Sequence, residues 1–377
     1  MNIIFSVGVL NGLFSILPIK RRKIFFLGYY GSQYGCNPKY LSEYIVRNHP
    51  DWDVVWGFTQ PKKYEIAGIR KVRYLSLRFF YELCTSSVFV TNYRMPKFYR
   101  RRSRQTYIQT WHSSLRLKAI EADAQDSTPA HYIEMAKHDS RQISMLLSGC
   151  QKSTEIFQQA FWYNGLIVPT GTPRMDILLS PNEELRHRVR AKLRIEENTH
   201  VVLFAPTFRE NHDLDAYDLD LDLLCDSLQQ SWGGTWKVLL RLHPHLQNLA
   251  NQRQGLLLHA QDVTSYDDPQ ELLCISDVVV SDYSGLIFDF AYTRRPCFLY
   301  VPDLKGYLEH ERRLYFNPKE LPFPLIHDNA ELPTVIREFD KNSYEKTVDG
   351  FLSQIGSFET GHACENVFQL ISNDSES

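Results

Sequence analysis

The stretch Asp277-Val-Val-Val-Ser-Asp-Tyr-Ser-Gly-Leu-Ile-Phe-Asp-Phe-Ala-Tyr-Thr-Arg-Arg-Pro-Cys-Phe-Leu299 decides the fold class. The β-branched run Val278 to Val280 reads as a short buried strand, and the polar turn Ser281 to Gly285 ends it. Leu286 to Tyr292 has a helix-like apolar pattern, Pro296 stops that helix, and Cys297 to Val301 begins another strand. Strand, turn, helix and strand in this order form one crossover of a parallel sheet. The turn would place backbone N–H groups and the Ser281 and Ser284 hydroxyls at a helix N-terminus, a natural anion site. The same residues also fit an ordinary crossover with a serine cap. The rest of the chain has to decide between these readings.

Upstream, the alternation repeats. Strands are expected at Ile24 to Gly28, Asp53 to Gly57, Val88 to Thr91, Tyr107 to Thr110, Met145 to Ser148 and Ile167 to Val168. Helical patterns cover Pro38 to Val46 and Leu75 to Cys84. Pro181 and the charged run through Arg186, Arg188, Arg190 and Glu196 change the texture. A second alternation then begins with strands at His200 to Ala205, Trp236 to Leu242 and Leu256 to His259, and helices at Leu221 to Leu228 and Pro269 to Ile275. Strands alternating with helices predict parallel sheets. The expected architecture is α/β: a Rossmann-like domain at 23–177, a second at 178–377, and a ligand in the cleft that they face, outside the carboxyl ends of the strands.

At 377 residues and 43% hydrophobic content, the chain has enough apolar material for two packed cores. A net charge of -2 excludes a global field that would draw nucleic acid. The seven scattered cysteines form no CxxC pair, which argues for a reducing compartment and against a structural zinc site; no metal or cofactor is required. Residues 1–22 are apolar up to Pro18 and then basic, Lys20-Arg21-Arg22-Lys23. They read as a helix against an anionic inner leaflet or as a buried first helix, with a true span disfavoured by the interspersed polar residues. A second basic block, Arg100 to Arg104 with Arg94 and Lys97 before it, reads as a solvated face or as an attraction for anionic membrane or substrate.

Polar clusters follow the predicted strands: Trp111-His112-Ser113-Ser114, Thr170 to Asp176, Pro206-Thr207-Phe208-Arg209, Arg241-Leu242-His243-Pro244-His245, and the Ser281 to Gly285 turn. Each has a structural explanation alone, but five at the same sheet edges favour a site. Together they offer imidazoles, guanidiniums and hydroxyls without a carboxylate pair. Guanidinium forks suit phosphate oxygens, and a histidine takes a proton from an attacking hydroxyl near neutral pH. This is the equipment for phosphoryl transfer from an activated diphosphate, and no G-x-x-x-x-G-K-[ST] loop marks a P-loop kinase.

Gln-Thr-Trp-His at 109–112, Gly-Thr-Pro-Arg-Met-Asp at 171–176, Ala-Pro-Thr-Phe-Arg at 205–209, Arg-Leu-His-Pro at 241–244 and Ser-Asp-Tyr-Ser at 281–284 resemble, in order and spacing, the CDP-glycerol glycerophosphotransferases. These are the teichoic-acid primases and polymerases and their capsule-synthesis relatives. Leu-Pro-Ile-Lys at 17–20 and Tyr-Gly-Cys-Asn-Pro-Lys at 34–39 resemble the family's N-terminal part. The resemblance implies a glycosyltransferase-B architecture, peripheral on the cytoplasmic face of a bacterial membrane. It also implies CDP-glycerol as donor and a lipid-linked saccharide or glycan as acceptor. By resemblance His112 is the general base and His243 the second essential histidine. Thr207, Arg209, Arg241, Ser281, Asp282, Ser284 and Gly285 are expected around the donor diphosphate. Trp111, Ser113, Lys118, Arg174 and Asp176 are expected on the acceptor side or in the cleft. Ser113 stands where many members have Gly, and Met175 where many have Asn. CDP-ribitol as donor, a nucleotide-sugar glycosyltransferase on the same fold and an inactive membrane scaffold are the alternatives.

Overall fold

The structure, a computed structural model, describes residues 12–180, 182–209, 217–242, 259–310 and 313–376. Two sheets are present. The first contains β1 (Lys20–Leu27), β2 (Asp53–Phe58), β3 (Arg70–Arg73), β4 (Ser86–Thr91), β5 (Thr106–Gln109), β6 (Met145–Leu147) and β7 (Leu166–Val168) in the order β3-β2-β1-β4-β5-β6-β7. The second contains β8 (Thr199–Ala205), β9 (Thr235–Leu240), β10 (Ala260–Asp262), β11 (Val278–Ser281), β12 (Cys297–Tyr300) and β13 (Leu325–Ile326) in the order β10-β9-β8-β11-β12-β13. Every pairing within them is parallel.

The central strands carry unbroken apolar runs because helices cover both faces of a parallel sheet. Ile24 to Leu27 and Val278 to Val280 are all buried. Phe25, Phe79, Phe89, Tyr107 and Phe161 pack one core, and Phe204, Leu224, Val280, Phe298 and Ile336 pack the other. In each sheet the chain starts at the centre, builds outward on one side, and returns to build on the other. The reversal falls between β1 and β4 in the first sheet and between β8 and β11 in the second. A crevice opens at such a reversal, because the connecting helices leave to opposite faces.

Two short edge strands have no clear sequence signal. In β3, Arg-Lys-Val-Arg, only Val72 is buried, so charge hides the strand. The other, β13, is two residues long.

The chain divides into two compact units. One comprises Met1–Ser114, Ile120–Asp176 and Ser357–Ser377; the other comprises Leu115–Ala119 and Ile177–Gly356. The break between them falls at Asp176 and Ile177, one residue before the boundary expected after 177, and two segments lie on the other side of it. The C-terminal segment belongs with the first unit. The Asp176 carboxylate accepts the Ala363 and Cys364 N–H groups at 2.9 and 2.8 Å, satisfying the start of the helix Ala363–Glu376. The Glu359 carboxylate in turn accepts the Thr172 N–H and hydroxyl at 2.9 and 2.7 Å. Leu115–Ala119 belongs with the second unit, where Ala119 N–H donates to the Arg313 carbonyl and Tyr315 N–H to the Leu117 carbonyl, each at 2.7 Å.

The basic segments are divided between surface and interior: Lys20, Arg21 and Arg22 are exposed, while Lys23 and Arg94 are buried. Lys20 to Lys23 are the opening of β1, not a region preceding the domain. Lys23 is 1% exposed, its ammonium paired with the buried Glu82 carboxylate and donating to Thr85 Oγ1 at 2.5 Å. Arg94 is likewise 1% exposed, bound to Glu121 at 3.0 Å and Asp139 at 3.3 Å. A guanidinium that deep persists only with its charge matched. Residues 1–11 of the apolar segment lie outside the described residues, and no described helix is long and apolar enough to cross a membrane. All seven cysteines are free thiols.

Candidate active site

In the first unit, the segment after β5 carries the expected Trp111-His112-Ser113 cluster. Gln109 Oε1 accepts the Trp111 N–H at 3.0 Å, and Trp111 has a left-handed φ of 51° that turns the chain sharply. Trp111 itself is buried edge-on against Phe161, with ring centroids 5.0 Å apart. His112 follows, half-buried. Its Nδ1 lies 3.3 Å from the carbonyl oxygen of Asn92, the residue after β4. A carbonyl only accepts, so Nδ1 carries the proton and the basic lone pair of the neutral ring is on Nε2. The Trp111 and Tyr93 rings flank the imidazole, at 4.4 and 5.4 Å between centroids.

Two further side chains hold this loop. Arg174 Nη1 donates to the His112 carbonyl at 2.6 Å. Asn37, near the start of the helix Cys36–Asn48, donates from Nδ2 to the Thr110 and Trp111 carbonyls at 3.2 and 3.0 Å. Its Oδ1 accepts the Arg174 N–H at 3.0 Å. Asn37 therefore ties together the loops after β5 and β7, a role not assigned to it from sequence. Its signal was its place in the 34–39 motif directly before Pro38, where an asparagine at a helix start invites a backbone partner. Of the residues expected on the acceptor side, Trp111, half-buried Ser113 and Arg174 gather around His112. Asp176 instead caps the C-terminal helix. Lys118 falls in the second unit, bridged to Leu314, with its ammonium 5.4 Å from the Tyr307 ring.

In the second unit, the loops after β8 and β11 meet at the reversal of strand order. Asp282 accepts the Thr207 N–H at 3.0 Å and binds Arg209 Nη1 at 2.9 Å. Arg209 also donates to Thr207 Oγ1 at 2.8 Å and from Nε to Asp303 at 2.6 Å. Burial opposes the guanidinium charge, but the two carboxylates outweigh it and raise the Arg209 pKa. Tyr283 and Tyr307 stack with centroids 3.5 Å apart, and both rings lie about 5 Å from the Arg209 guanidinium. The Tyr283 hydroxyl donates to Asp303 at 3.1 Å.

This changes the roles expected of several donor-side residues. Arg209 is 1% exposed, with both edges of its fork on carboxylates that join the loops after β8, β11 and β12. Ser281 is buried and donates to the Ala205 carbonyl at 2.6 Å. Ser284 and Gly285 are half-buried, and Ser284 Oγ accepts the Leu286 N–H at 3.3 Å. The helix Leu286–Ala291 has six residues, too short to bring a large dipole to an anion. Arg241 donates to the Val263 and Tyr266 carbonyls at 3.3 and 2.6 Å, tying β9 to the segment after β10. His243 lies outside the described residues, as does most of the strand expected at 256–259. Asp303, three residues beyond β12, was not singled out from sequence, although polar residues beyond strand ends were the guide to all the others.

Comparisons with known proteins bear on the chain as a whole. The chain is 31% identical over 372 residues to the teichoic acid poly(glycerol phosphate) polymerase of Bacillus subtilis (strain 168), covering 95% of this chain and 49% of that protein. It is 29% identical over 374 residues to the teichoic acid glycerol-phosphate transferase of Staphylococcus aureus (strain NCTC 8325 / PS 47), covering 95% of each. The chain thus spans about half the length of the first relative and nearly all of the second. The solved structure of the wall teichoic acid polymerase TagF is similar over 100% of this chain and 95% of that one, with a TM-score of 0.85 and 29% identity. The sequence model of one family matches residues 9–373, a span that includes both sheets and all five strand-end clusters. Parallel sheets, clustered loops and sequence therefore agree, and the chain belongs to the CDP-glycerol:poly(glycerophosphate) glycerophosphotransferase family.

Proposed function

We propose that this chain transfers glycerol phosphate from CDP-glycerol to a hydroxyl of a lipid-linked saccharide or cell-surface glycan, releasing CMP, in teichoic acid or capsule synthesis. The supporting observation is the Nδ1 contact of His112 with the Asn92 carbonyl, which directs the basic nitrogen outward from its support. The acceptor oxygen attacks the β-phosphorus, its proton passes to His112 Nε2, and the phosphoanhydride bond to CMP breaks. Positioning and charge stabilisation supply most of the rate in such transfers. The family match and the TagF variant soaked with CDPG support the choice of donor. A ribitol donor is the second reading, because the ribitol-phosphate polymerase TarK of S. aureus (strain NCTC 8325 / PS 47) is 26% identical over 96% of this chain. The proposed place of action is the inner face of the membrane, reached through a basic surface that includes Arg100 and Arg104. CMP release should be measured with CDP-glycerol and CDP-ribitol in parallel. Turnover of CDP-glycerol that disappears in His112→Ala is the expected result, and undiminished turnover in that variant would overturn the mechanism.

A further inference from the structure

Aromatic rings gather where the strand order of the first sheet reverses, and the proposed transfer chemistry does not use them. Directly after β1, Tyr29 and Tyr30 have left-handed φ values of 47° and 53°, a conformation that tyrosines rarely adopt. It is held by hydrogen bonds on both sides: Tyr29 N–H donates to Asn92 Oδ1 at 3.0 Å, and Gly31 N–H to the Gly28 carbonyl at 2.7 Å. Strain of this kind survives only where its surroundings over-determine it, and it concentrates at binding sites. Here it brings both rings against Tyr93 at 5.3 and 5.0 Å between centroids, inclined at 59° and 66°, so that Tyr30 and Tyr93 present two faces at an angle. Tyr93 then lies at 24° to the His112 imidazole, 5.4 Å away. Tyr30, Tyr93 and His112 are each half-buried, so this row keeps access to solvent beside the base. Burial pushes the Tyr30 and Tyr93 phenols up, and they remain neutral hydroxyls.

We infer that Tyr30 and Tyr93 form a stacking platform for a pyranose ring of the acceptor, next to the hydroxyl that His112 deprotonates. The inference rests on the transfer reading above and adds the residues that receive the acceptor and a preference for its saccharide end. A pyranose presents a flat face of C–H groups that an aromatic face covers, while its rim hydroxyls meet phenols. An extended polyol phosphate has no such face and carries a charge at every repeat, which calls for cations. Two arginines of this edge are turned elsewhere, Arg94 to Glu121 and Asp139, and Arg174 to the His112 carbonyl. The platform therefore favours a saccharide end over a polyol-phosphate end.

Saturation-transfer NMR on the full chain, without donor, tests this with methyl N-acetyl-β-D-glucosaminide and sn-glycerol 3-phosphate as probes. Wild type and Tyr93→Phe should transfer saturation to the ring protons of the glycoside. Tyr93→Ala and Tyr30→Leu should bind it about tenfold more weakly. CDP-glycerol binding should be unchanged in all four. Tyr30→Leu leaves the ring against His112 in place, so it separates stacking from support of the imidazole. Equal glycoside binding by all four proteins, or binding of glycerol 3-phosphate alone, would overturn the platform. Failure of the transfer reading shows separately, as absence of CDP-glycerol binding and of His112-dependent CMP release.

Discussion

The two sheets reverse their strand order in the same way, yet their crevices are finished with opposite chemistry. Beside β1 and β4 the first unit keeps rings half-buried and sets an imidazole with its Nδ1 on a backbone carbonyl. Beside β8 and β11 the second unit closes its loops with buried charge, Arg209 between Asp282 and Asp303. A carbonyl orients a ring while leaving its other nitrogen for chemistry. A buried ion cluster makes two loops one rigid body, because separating the charges leaves one of them uncompensated. The same topology thus holds a half-buried imidazole in one unit and a buried ion cluster in the other.

This contrast is broken most sharply at His112. His112→Ala should lower kcat for CMP release about 10²–10⁴-fold with an unchanged unfolding midpoint, since the ring is half-buried and supports little. Asp282→Ala should do the reverse and act first on stability. Loss of its Arg209 partnership and the Thr207 N–H bonds should cost about 3–5 kcal/mol in urea unfolding. A mild loss there, with activity abolished, would make Asp282 a substrate ligand and erase the contrast. Asn37→Ala should fall between the two. Three buried hydrogen bonds go, worth about 1–3 kcal/mol, and kcat falls as the His112 loop loosens.

Acid sensitivity sharpens the comparison within the first unit. Burial pushes the Glu82 carboxyl up, but Arg70 and Lys23 outweigh it and hold it at about 2, below its ordinary 4.5. A depressed carboxyl contributes stability above its unfolded pKa and loses it as pH falls through the folded one. The stability gap between wild type and Glu82→Gln should therefore be full above pH 4.5 and shrink toward pH 2, read from unfolding midpoints across that range. At the exposed end, Arg22→Ala removes the 2.7 Å pair with Asp51 and should cost less than about 1 kcal/mol.

Strand-end position is legible in sequence, because polar residues beyond buried apolar runs lie at the carboxyl edge of a parallel sheet. The structure sets Trp111, His112, Thr207, Arg209, Ser281 and Asp282 at those ends, with Asp303 beyond β12 as a further one. Strand-end position does not say which groups face a ligand. Arg209 and Arg174 look equally like phosphate forks in sequence, yet one is enclosed by carboxylates and the other holds a loop carbonyl.

The stretch Asp277 to Leu299 shows the division most clearly. Its strand, turn and helix are local events, set by β-branching, turn residues and Pro296, and they were legible in sequence. The loading of the turn was not. Asp282 is a brace because Arg209 lies 73 residues away in the chain and beside it in space. The last residues join the first unit because Asp176 and Glu359 satisfy backbone groups that no local pattern advertises. Sequence by itself determined the alternation, the parallel sheets, the strand ends where polar residues gather and the family. Only the tertiary structure decided which charges neutralise each other, because pairing over long separations depends on where the strands set the loops.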